Sequence, residues 1–377
     1  MMRWLAIGLL VSAAVWGALV YWGPETRQVR LIHEEGNDMF CDFRMPRQCA
    51  QADNPYRAEA VDKKDRCYPI TGYVLAALFP EDFFRGGLIF TLAGWLAFVF
   101  AVGLALSVSG NRDGWWLLAA MGVTGPALGN VDTANQIWFA AAGVLVFLSL
   151  HGSERRWQRQ VALFALALAA ALKVTPGAFS LILLKERRWR DFLTFAAEGA
   201  ALVLVPFIWW TGFGGIVDWL DCMKEHASWY GSSKTWGPIR LVNTVCTRLY
   251  GVKLSKMPAL LAVGRTADLL LGAVLLIRFW KTRTRRSEIL MLSAIVGMVP
   301  SVAQYYTLLY FVPVLAFAAG EGISAVEALL WLVVFCPLQI PLGDGAMNQS
   351  LANLALLALI LRDFFGKIFV RNHVLPQ

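Results

Sequence analysis

Long apolar blocks, each close to the length of a membrane-crossing helix, constrain this sequence more than any other feature. The blocks Trp4–Trp22, Leu88–Val108 and Phe192–Trp210 approach the roughly 20 residues that a helix needs to cross a bilayer. Of the 377 residues, 58% are hydrophobic and 16% are charged, whereas a soluble domain has about 45–50% apolar and about 25% charged residues. The sequence therefore predicts an all-α polytopic membrane protein. It excludes a soluble enzyme, a disulfide-rich secreted module and a disordered chain.

The net charge of +8 comes from Lys and Arg residues that fall in short runs between the apolar blocks. Such runs, at Arg155-Arg156, Lys185–Arg190 and Lys281–Arg286, are typical of cytoplasmic loops. No soluble segment offers a basic docking face, so we expect no nucleic-acid partner. The alternation predicts about twelve crossings or half-crossings with both termini cytoplasmic. An uncleaved first helix is favoured over a signal peptide, because the apolar core is long.

We divide the chain, as one membrane domain, into five parts along the sequence. They are a first transmembrane helix at 1–22, an outer loop at 23–86 with an interfacial helix within Tyr68–Pro80, a helical module at 87–210, a Trp-rich outer segment at 211–257, and C-terminal transmembrane helices at 258–377. Within the module, Trp115–Leu128 and Ile137–Leu150 are predicted to be helices joined by an outer turn at Gly129–Gln136.

The stretch between the basic runs Arg155-Arg156 and Lys185–Arg190 predicts a broken helical hairpin. One crossing there would place one basic loop outside, whereas two half-helices, Val161–Leu172 and Pro176–Leu184, keep both inside. Pro176 removes a backbone donor and disfavours helix at the preceding residue, so we expect the break beside Lys173. A cation at a membrane break predicts a wet cavity or an anionic ligand. A lysine that snorkels to the interface is the alternative.

Motifs in the first outer loop resemble the GT-C superfamily of membrane glycosyltransferases. Asp42-Phe43 follows the first helix, Pro55-Tyr56 comes next, and Tyr68-Pro69 leads into the predicted interfacial helix. This order is similar to glycosyltransferase family 87, the polyprenyl-phosphate-mannose-dependent mannosyltransferases. The resemblance implies a GT-C-like bundle of about 10–12 transmembrane helices.

Two further stretches are similar to the same family. Lys173-Val174-Thr175-Pro176, followed by Arg187-Arg188-Trp189-Arg190, looks like its Leu-Lys-Pro hairpin, and Gly129-Asn130 looks like its Gly-Gln/Asn turn. The chain departs from the family at Gln304, where a histidine is common. A glutamine can donate and accept hydrogen bonds but cannot relay a proton near neutral pH, which puts a histidine-assisted mechanism in doubt.

The resemblance implies transfer of a sugar from a polyprenyl-phosphate donor to a lipid-linked or cell-envelope glycan acceptor. Mannose, or another hexose or a pentose, is the expected sugar, and the periplasmic side of a bacterial inner membrane is the expected location. Membrane lipids, the donor and the acceptor are then the expected partners. We expect no cofactor, and the sequence has no metal-ligand spacing.

This chemistry needs a base for the acceptor hydroxyl and positive charge or donors for the departing phosphate. Asp42 is the predicted base with Asp38 as second choice, and Lys173 and Gln304 are the predicted phosphate partners. The predicted sugar- and acceptor-binding residues are polar or aromatic side chains of the outer segments: Tyr56, Asn130, Asp132, Asn135, His226, Trp229 and Tyr305.

Alternatives remain open at this stage. A secondary transporter would also suit a broken helix at Lys173, although no related halves are evident. Arg265 and Asp268, at i and i+3, are expected to neutralise each other on one helix. One disulfide is plausible among the cysteines of the outer loop or between one of them and a fourth, with the connectivity undetermined: Cys41, Cys49, Cys67 and Cys222.

Overall fold

A computed structural model describes residues 1–22, 39–231, 235–300, 302–318, 322–338 and 345–371. The regular structure of these residues is helical, with no strand among them. The α-helices in chain order are α1 Met2–Trp22, α2 Cys41–Cys49, α3 Ile70–Ala77, α4 Phe83–Ser109, α5 Trp115–Met121, α6 Gly125–Thr133, α7 Ile137–Leu150, α8 Arg156–Lys173, α9 Leu181–Lys185, α10 Trp189–Pro206, α11 Gly214–Tyr230, α12 Pro238–Tyr250, α13 Pro258–Lys281, α14 Arg285–Met298, α15 Val312–Ala316, α16 Ala325–Phe335 and α17 Gly345–Arg371.

Short 3-10 helices and one π-helical turn complete the regular structure. The 3-10 helices are Pro55–Arg57, Lys63–Asp65, Arg112–Gly114, Thr175–Ser180, Leu254–Lys256 and Tyr305–Phe311. The π-helical turn Phe207–Thr211 extends α10. Pro206 at the junction lacks a backbone donor, which is a physical reason for the change of hydrogen-bond register there.

Four helices in the described residues are long and apolar enough to cross a bilayer. They are α1, α4, α10 with its π-helical extension, and α13. Shorter apolar helices, among them α7 and α16, accompany them. This architecture confirms the prediction of an all-α polytopic membrane protein, because helices satisfy every backbone polar group within the hydrocarbon layer.

The chain folds as two compact units. The first unit combines Met1–Val29, Asn111–Gly125 and Ser232–Gln377, and the second combines Arg30–Gly110 and Pro126–Gly231. Within the second unit, α4 packs on α7 and α7 packs on α8. Their shared core includes Phe98, which packs against the fully buried ring of Trp138 with 5.2 Å between ring centroids.

The predicted broken hairpin is present in the second unit. Helix α8 ends at Lys173, Val174 adopts a positive φ of 25°, and the chain continues through the 3-10 helix Thr175–Ser180 and α9. The predicted start of the first helix of the hairpin was wrong. This helix begins at Arg156 rather than Val161, and it therefore includes basic residues that were assigned to the preceding loop.

The two ends of the hairpin meet. His151 Nε2 lies 3.3 Å from the carboxylate of Glu186, and Arg188 donates to the backbone carbonyl of His151. The basic loops before α8 and after α9 are therefore neighbours. This arrangement agrees with the sequence argument that both loops lie on one side of the membrane.

The prediction of one helix at Trp115–Leu128 and a turn at Gly129–Gln136 was wrong in detail. The helix ends at Met121, and α6 occupies much of the predicted turn. Thr124 Oγ1 donates to the carbonyl of Met121 at 3.0 Å, which gives the backbone at the break a side-chain partner. Ala134 then ends α6 with a positive φ of 53°.

Candidate active site

Asp42 is the second residue of α2, and its position is set by the two aromatic residues beside it. Phe40 adopts a left-handed conformation with φ 57°, and its backbone N–H donates to the carbonyl of Asp132 at 2.6 Å. Phe43 is fully buried, with its ring centroid 5.2 Å from that of Phe90 in α4. The turn at Phe40 and the buried ring of Phe43 therefore fix α2 against α6 and α4 within the second unit.

Glycines in α4 allow this close approach. A Cβ at Gly87 would lie 2.5 Å from the ring of Phe40, and a Cβ at Gly86 would lie 2.9 Å from the ring of Phe43. These separations are shorter than side-chain packing tolerates. The Gly86-Gly87 pair therefore makes room for the two rings that hold α2.

The carboxylate of Asp42 accepts hydrogen bonds from two residues that are distant in sequence. Tyr68 Oη donates to Oδ1 at 2.8 Å, and Asn135 Nδ2 donates to Oδ2 at 2.8 Å. Each carboxylate oxygen has more than one lone-pair position, so acceptor capacity remains on both. Asp42 itself is half-buried. The arrangement orients a carboxylate without using all of its acceptor positions.

Asn135 is held in one orientation by a second hydrogen bond. Its Oδ1 accepts from the backbone N–H of Ile137 at 3.0 Å, at the beginning of α7. The side chain is fully buried, and its amide nitrogen therefore points to Asp42. An amide that caps a helix with its oxygen and donates with its nitrogen has both roles fixed by geometry.

Lys173 completes the group from the tip of the hairpin. Its Nζ lies 4.5 Å from the centroid of the Tyr68 ring, within cation–π distance. It also interacts electrostatically with Asp42. Four residues from four separate parts of the chain, Asp42, Tyr68, Asn135 and Lys173, thus form one cluster, which we call the Asp42 cluster. All four belong to the second unit.

Helix α11 forms hydrogen bonds with the loop that carries Tyr68. Arg57 donates two hydrogen bonds to Asp218, at 2.9 and 3.1 Å, and the Asn54 amide donates to the same carboxylate at 2.8 Å. Trp219 Nε1 donates to the carbonyl of Cys67 at 3.2 Å, directly before Tyr68. The hydrogen bond from Arg57 holds the pKa of Asp218 below its usual value. Helix α11 is therefore tied to both ends of this loop.

Tyr56 contacts the backbone of Tyr68 and is not one of the four residues of the Asp42 cluster. Its hydroxyl donates to the backbone carbonyl of Tyr68 at 3.1 Å, and its ring stacks on Phe207 with 5.8 Å between centroids. It is 2% exposed. Its predicted contact with a sugar remains a prediction, and its observed contacts position Tyr68.

The polar residues around α6 have different surroundings. Asn130 is fully buried, and neither its amide oxygen nor its nitrogen has a hydrogen-bond partner among the described residues. Asp132 is 4% exposed and uses its backbone carbonyl to hold Phe40. The amide of Gln136 donates to the carbonyl of Gly72 at 3.0 Å. A buried amide without a partner is costly, so Asn130 is suited to a polar ligand or a water.

His226 and Trp229 lie on α11, the helix that forms hydrogen bonds with the loop that carries Tyr68. His226 Nδ1 is 2.7 Å from the carbonyl of Lys64, and its ring packs against Tyr230. Trp229 is 61% exposed, and its indole donates to Glu225 at 2.9 Å. Their predicted roles in sugar binding remain predictions.

Gln304 and Tyr305 lie in the first unit. The indole of Trp236 donates to the carbonyl of Gln304 at 3.2 Å and stacks with the ring of Tyr305, with 6.2 Å between centroids. The Tyr305 hydroxyl donates to the carbonyl of Cys336 at 3.2 Å. Their predicted roles remain predictions. Asp38, the second choice for the base, lies outside the described residues.

The Arg265–Asp268 pair is looser than expected from its spacing. The closest oxygen of Asp268 is 3.9 Å from Arg265, and its other oxygen accepts from the backbone N–H of Ile239 at 3.0 Å. Asp268 is 2% exposed. The shorter contact of Asp268 is therefore the hydrogen bond from Ile239 at the start of α12, and its contact with Arg265 is longer.

The cysteines of the outer segments are free thiols in this structure. Cys49 and Cys222 are buried in one hydrophobic cluster with Tyr56 and Phe207. Burial raises the pKa of Cys49 to about 12 and that of Cys67 to about 12. Thiols with such values are protonated at neutral pH. No group of three or more metal-ligating side chains occurs in the part of the chain that the structure describes.

Sequence reasoning did not give Tyr68 a role, although it used Tyr68-Pro69 as a motif. The structure makes Tyr68 the link between Asp42 and Lys173. The sequence analysis also did not predict α11. The available signal was the pair of acidic residues Asp218 and Asp221, which form salt bridges with Arg57 and Lys63 in the structure.

Comparison with known protein families identifies a related family. The sequence model of glycosyltransferase family 87 matches residues 67–304 of this chain. That region contains Tyr68, Asn135 and Lys173, whereas Asp42 precedes it. No curated protein and no solved structure has significant similarity to the chain.

Proposed function

The chain belongs to glycosyltransferase family 87, and we propose that it transfers a sugar from a polyprenyl-phosphate donor with Asp42 as the base. The acceptor is a lipid-linked or cell-envelope glycan, and the sugar is mannose or another hexose or a pentose. Family membership supports a glycosyltransferase over the secondary transporter that the broken hairpin also suited.

The observation that carries this proposal is the convergence of a carboxylate and a cation on one tyrosine. Tyr68 donates to Asp42 at 2.8 Å and lies 4.5 Å from Lys173 Nζ. Glycosyl transfer needs a base for the acceptor hydroxyl and a positive charge or hydrogen-bond donors for the departing phosphate. Asp42 and Lys173 provide this pair within the second unit.

In the proposed reaction, an acceptor hydroxyl attacks the anomeric carbon of the donor and transfers its proton to Asp42. The bond from that carbon to the phosphate oxygen breaks, and the lipid phosphate leaves with the electron pair. Tyr68 and Asn135 hold the carboxylate in place, because each donates to a different oxygen. The remaining lone-pair positions of the carboxylate are available to the acceptor hydroxyl.

Lys173 is proposed to bind the donor phosphate. Its ammonium lies at the end of α8, directly before the break at Val174. Negative charge grows on the phosphate as the bond breaks, so a fixed cation stabilises the transition state more than the bound donor. Asn130, whose buried amide has no hydrogen-bond partner among the residues that the structure describes, is the best-supported candidate for a sugar hydroxyl.

We place the reaction on the outer, periplasmic side of a bacterial inner membrane, with both termini cytoplasmic. The support is the charge pattern, since the basic loops that flank α8 and α9 favour the cytoplasm and the Lys173 end of α8 then points outward. The proposed partners are the polyprenyl-phosphate sugar, the glycan acceptor and membrane lipids, with no cofactor and no metal.

Product analysis tests the proposal. The purified chain is incubated with single polyprenyl-phosphate sugars and candidate lipid-linked acceptors, and products are identified by mass spectrometry. We expect a product that carries one added sugar, with release of polyprenyl phosphate. A product from a nucleotide-sugar donor, with none from polyprenyl-phosphate sugars, would contradict the proposal.

A further inference from the structure

Pro206, the last residue of α10, removes the usual donor of one backbone carbonyl in that helix. In an α-helix the carbonyl of Leu202 accepts from the backbone N–H of residue 206, and a proline at that position has no N–H. The N–H of Phe207 donates instead to the carbonyls of Val203 and Leu204. Because α10 crosses the bilayer, a carbonyl without a donor is costly there. The carbonyl of Leu202 therefore favours a donor from outside its own helix.

Thr71 supplies such a donor from α3. Its Oγ1 donates to the carbonyl of Leu202 at 2.7 Å, across 131 residues of sequence. Thr71 is the second residue of α3 and is 7% exposed. Threonine hydroxyls within helices often donate to a carbonyl of their own helix, whereas this one joins two helices. The hydrogen bond therefore gives the Leu202 carbonyl a partner and connects α3 to α10.

The first turn of α3 is bound on another side by the segment that leads into α7. The amide of Gln136 donates to the carbonyl of Gly72 at 3.0 Å. A Cβ at Gly72 would lie 2.5 Å from the side-chain oxygen of Gln136, so this contact needs a glycine. Gln136 directly follows Asn135, which donates to Asp42. The first turn of α3 is therefore held between α10 and the residues that orient the carboxylate.

Only two residues separate Thr71 from Tyr68. The first of them, Pro69, has its φ fixed by its ring, and its carbonyl accepts from the backbone N–H of Gly72 at 2.8 Å. The segment from Tyr68 to Gly72 therefore has little conformational freedom. A shift of the first turn of α3 would move the Tyr68 hydroxyl relative to Asp42, to which it donates at 2.8 Å.

The same part of α10 also contacts the other support of Tyr68. Phe207 directly follows Pro206, and its ring stacks on Tyr56 with 5.8 Å between centroids. The hydroxyl of Tyr56 donates to the backbone carbonyl of Tyr68 at 3.1 Å. The proline end of α10 is thus connected to Tyr68 by two routes, one through Thr71 and one through Tyr56.

We propose that Thr71 is a positioning residue for the transfer reaction. Its hydroxyl replaces the backbone N–H that Pro206 lacks, and the resulting connection between α3 and α10 sets the place of Tyr68. Tyr68 in turn orients the carboxylate of Asp42. Thr71 acts through Tyr68 and takes no direct part in the reaction. The inference rests on the proposed function, in which Asp42 is the base.

A double-mutant cycle in turnover tests the route through Tyr68. Thr71→Val keeps the branched shape and removes the hydroxyl, and we expect it to lower kcat by about tenfold with the donor KM nearly unchanged. In the Tyr68→Phe background the same change should lower kcat by less than about twofold, because the hydroxyl through which Thr71 acts is already absent. Normal kcat in Thr71→Val, or losses that multiply in the double variant, would overturn the proposal.

Two further threonine variants serve as controls for this cycle. Thr71→Ser keeps the hydroxyl and should retain most of the turnover. Thr194→Val removes a hydroxyl that donates to the carbonyl of Arg190 at 3.0 Å within α10. That bond joins no second helix, so we expect kcat to change by less than about twofold. A loss in Thr194→Val equal to that in Thr71→Val would contradict a special role for the connection to α3.

A second cycle separates positioning from the mere supply of a donor. Pro206→Ala restores the backbone N–H for the Leu202 carbonyl. We expect Thr71→Val to lower the thermal unfolding temperature, and to lower it by less in the Pro206→Ala background, because the carbonyl then has a donor. The loss of kcat should persist in both backgrounds, since the connection between α3 and α10 is lost in both. Recovery of kcat together with stability, or equal thermal losses in both backgrounds, would overturn the proposal.

Failure of the proposed function would give a different result. If Asp42 were not the base, Asp42→Asn would transfer sugar normally, whereas the thermal cycle with Pro206→Ala needs no substrate and would keep its result. Failure of the present inference would leave Asp42→Asn impaired and would make the losses from Thr71→Val and Tyr68→Phe multiply. The two failures are therefore distinguishable with the same set of variants.

Discussion

The hydroxyl of Tyr68 donates a 2.8 Å hydrogen bond to Oδ1 of Asp42, which lies 26 residues earlier in the chain. The ring of the same tyrosine lies 4.5 Å from the ammonium of Lys173. One side chain therefore contacts both charged residues of the Asp42 cluster through different parts. This separation makes the two roles of Tyr68 experimentally distinguishable.

Tyr68→Phe removes the hydroxyl and keeps the ring. We expect turnover to fall by about tenfold or more, since a hydrogen bond to a charged group is worth about 1.5–3 kcal/mol. Donor affinity should stay nearly constant, because the ring below Lys173 is retained. Steady-state kinetics with separate kcat and KM values measure this difference. Tyr250→Phe, at an exposed tyrosine of the first unit, is the control. An equal loss in KM and kcat would contradict the assigned role.

Asn135→Asp tests the second hydrogen bond to Asp42. The new carboxylate still offers an oxygen to the backbone N–H of Ile137, but it cannot donate and it repels Asp42. We expect turnover to fall by about tenfold or more while the thermal unfolding temperature changes little. Activity assays and thermal unfolding in the same detergent measure both. Full activity in Asn135→Asp would show that orientation of Asp42 by this amide is not required.

Lys173→Gln tests the proposed phosphate contact. We expect weaker donor binding together with slower turnover, because a cation is lost from both the bound donor and the transition state. Lys173→Arg should recover only part, since the planar fork places its charge differently. Donor binding is measured with a fluorescent polyprenyl-phosphate sugar, and Lys253→Gln, at an exposed lysine, is the control. Unchanged affinity and turnover in folded Lys173→Gln would leave Lys173 with a structural role alone.

The sequence predicted the membrane architecture, and it named three of the four residues of the Asp42 cluster as site residues: Asp42, Asn135 and Lys173. Apolar length predicted α1, α4 and α10 because the bilayer thickness sets the length of a spanning helix. Pro176 predicted the break beside Lys173 because proline has no backbone N–H and therefore interrupts the hydrogen bonds of a helix. These features depend on local chemistry, which is readable along a single stretch of chain.

The contacts that complete the cluster depend on packing between distant segments. Asn135 faces Asp42 only because α6 ends at Thr133 and the positive φ of Ala134 turns the chain towards α7. Tyr68 reaches Asp42 because α11 holds the preceding residue through Trp219. Neither relation has a fixed sequence spacing, so one sequence predicted the residue types of the site but not their partners.

We expect the stability of the contact between α11 and the loop that carries Tyr68 to depend on pH through Asp218. Its pKa is lowered from 3.8 in the folded chain, chiefly by the hydrogen bond from Arg57. A lowered folded-state pKa gives stability that is present above the unfolded value and lost as pH falls through the folded value. We therefore expect thermal stability to fall as pH drops below about 4. Asp218→Asn should reduce that dependence, whereas Asp53→Asn, at an exposed residue, should preserve it. Identical pH profiles for all three proteins would contradict this role.

The central claim is that Asp42 removes the proton from the acceptor, and one comparison of turnover tests it most directly. Asp42→Asn keeps the shape and loses the base, and Asp53→Asn makes the same change at an exposed position of the same outer loop. Initial rates of sugar transfer are measured for both variants with the same donor and acceptor. We predict that Asp42→Asn lowers the rate by about 10²–10⁴-fold and that Asp53→Asn leaves it unchanged. Near-normal transfer by folded Asp42→Asn would contradict the account.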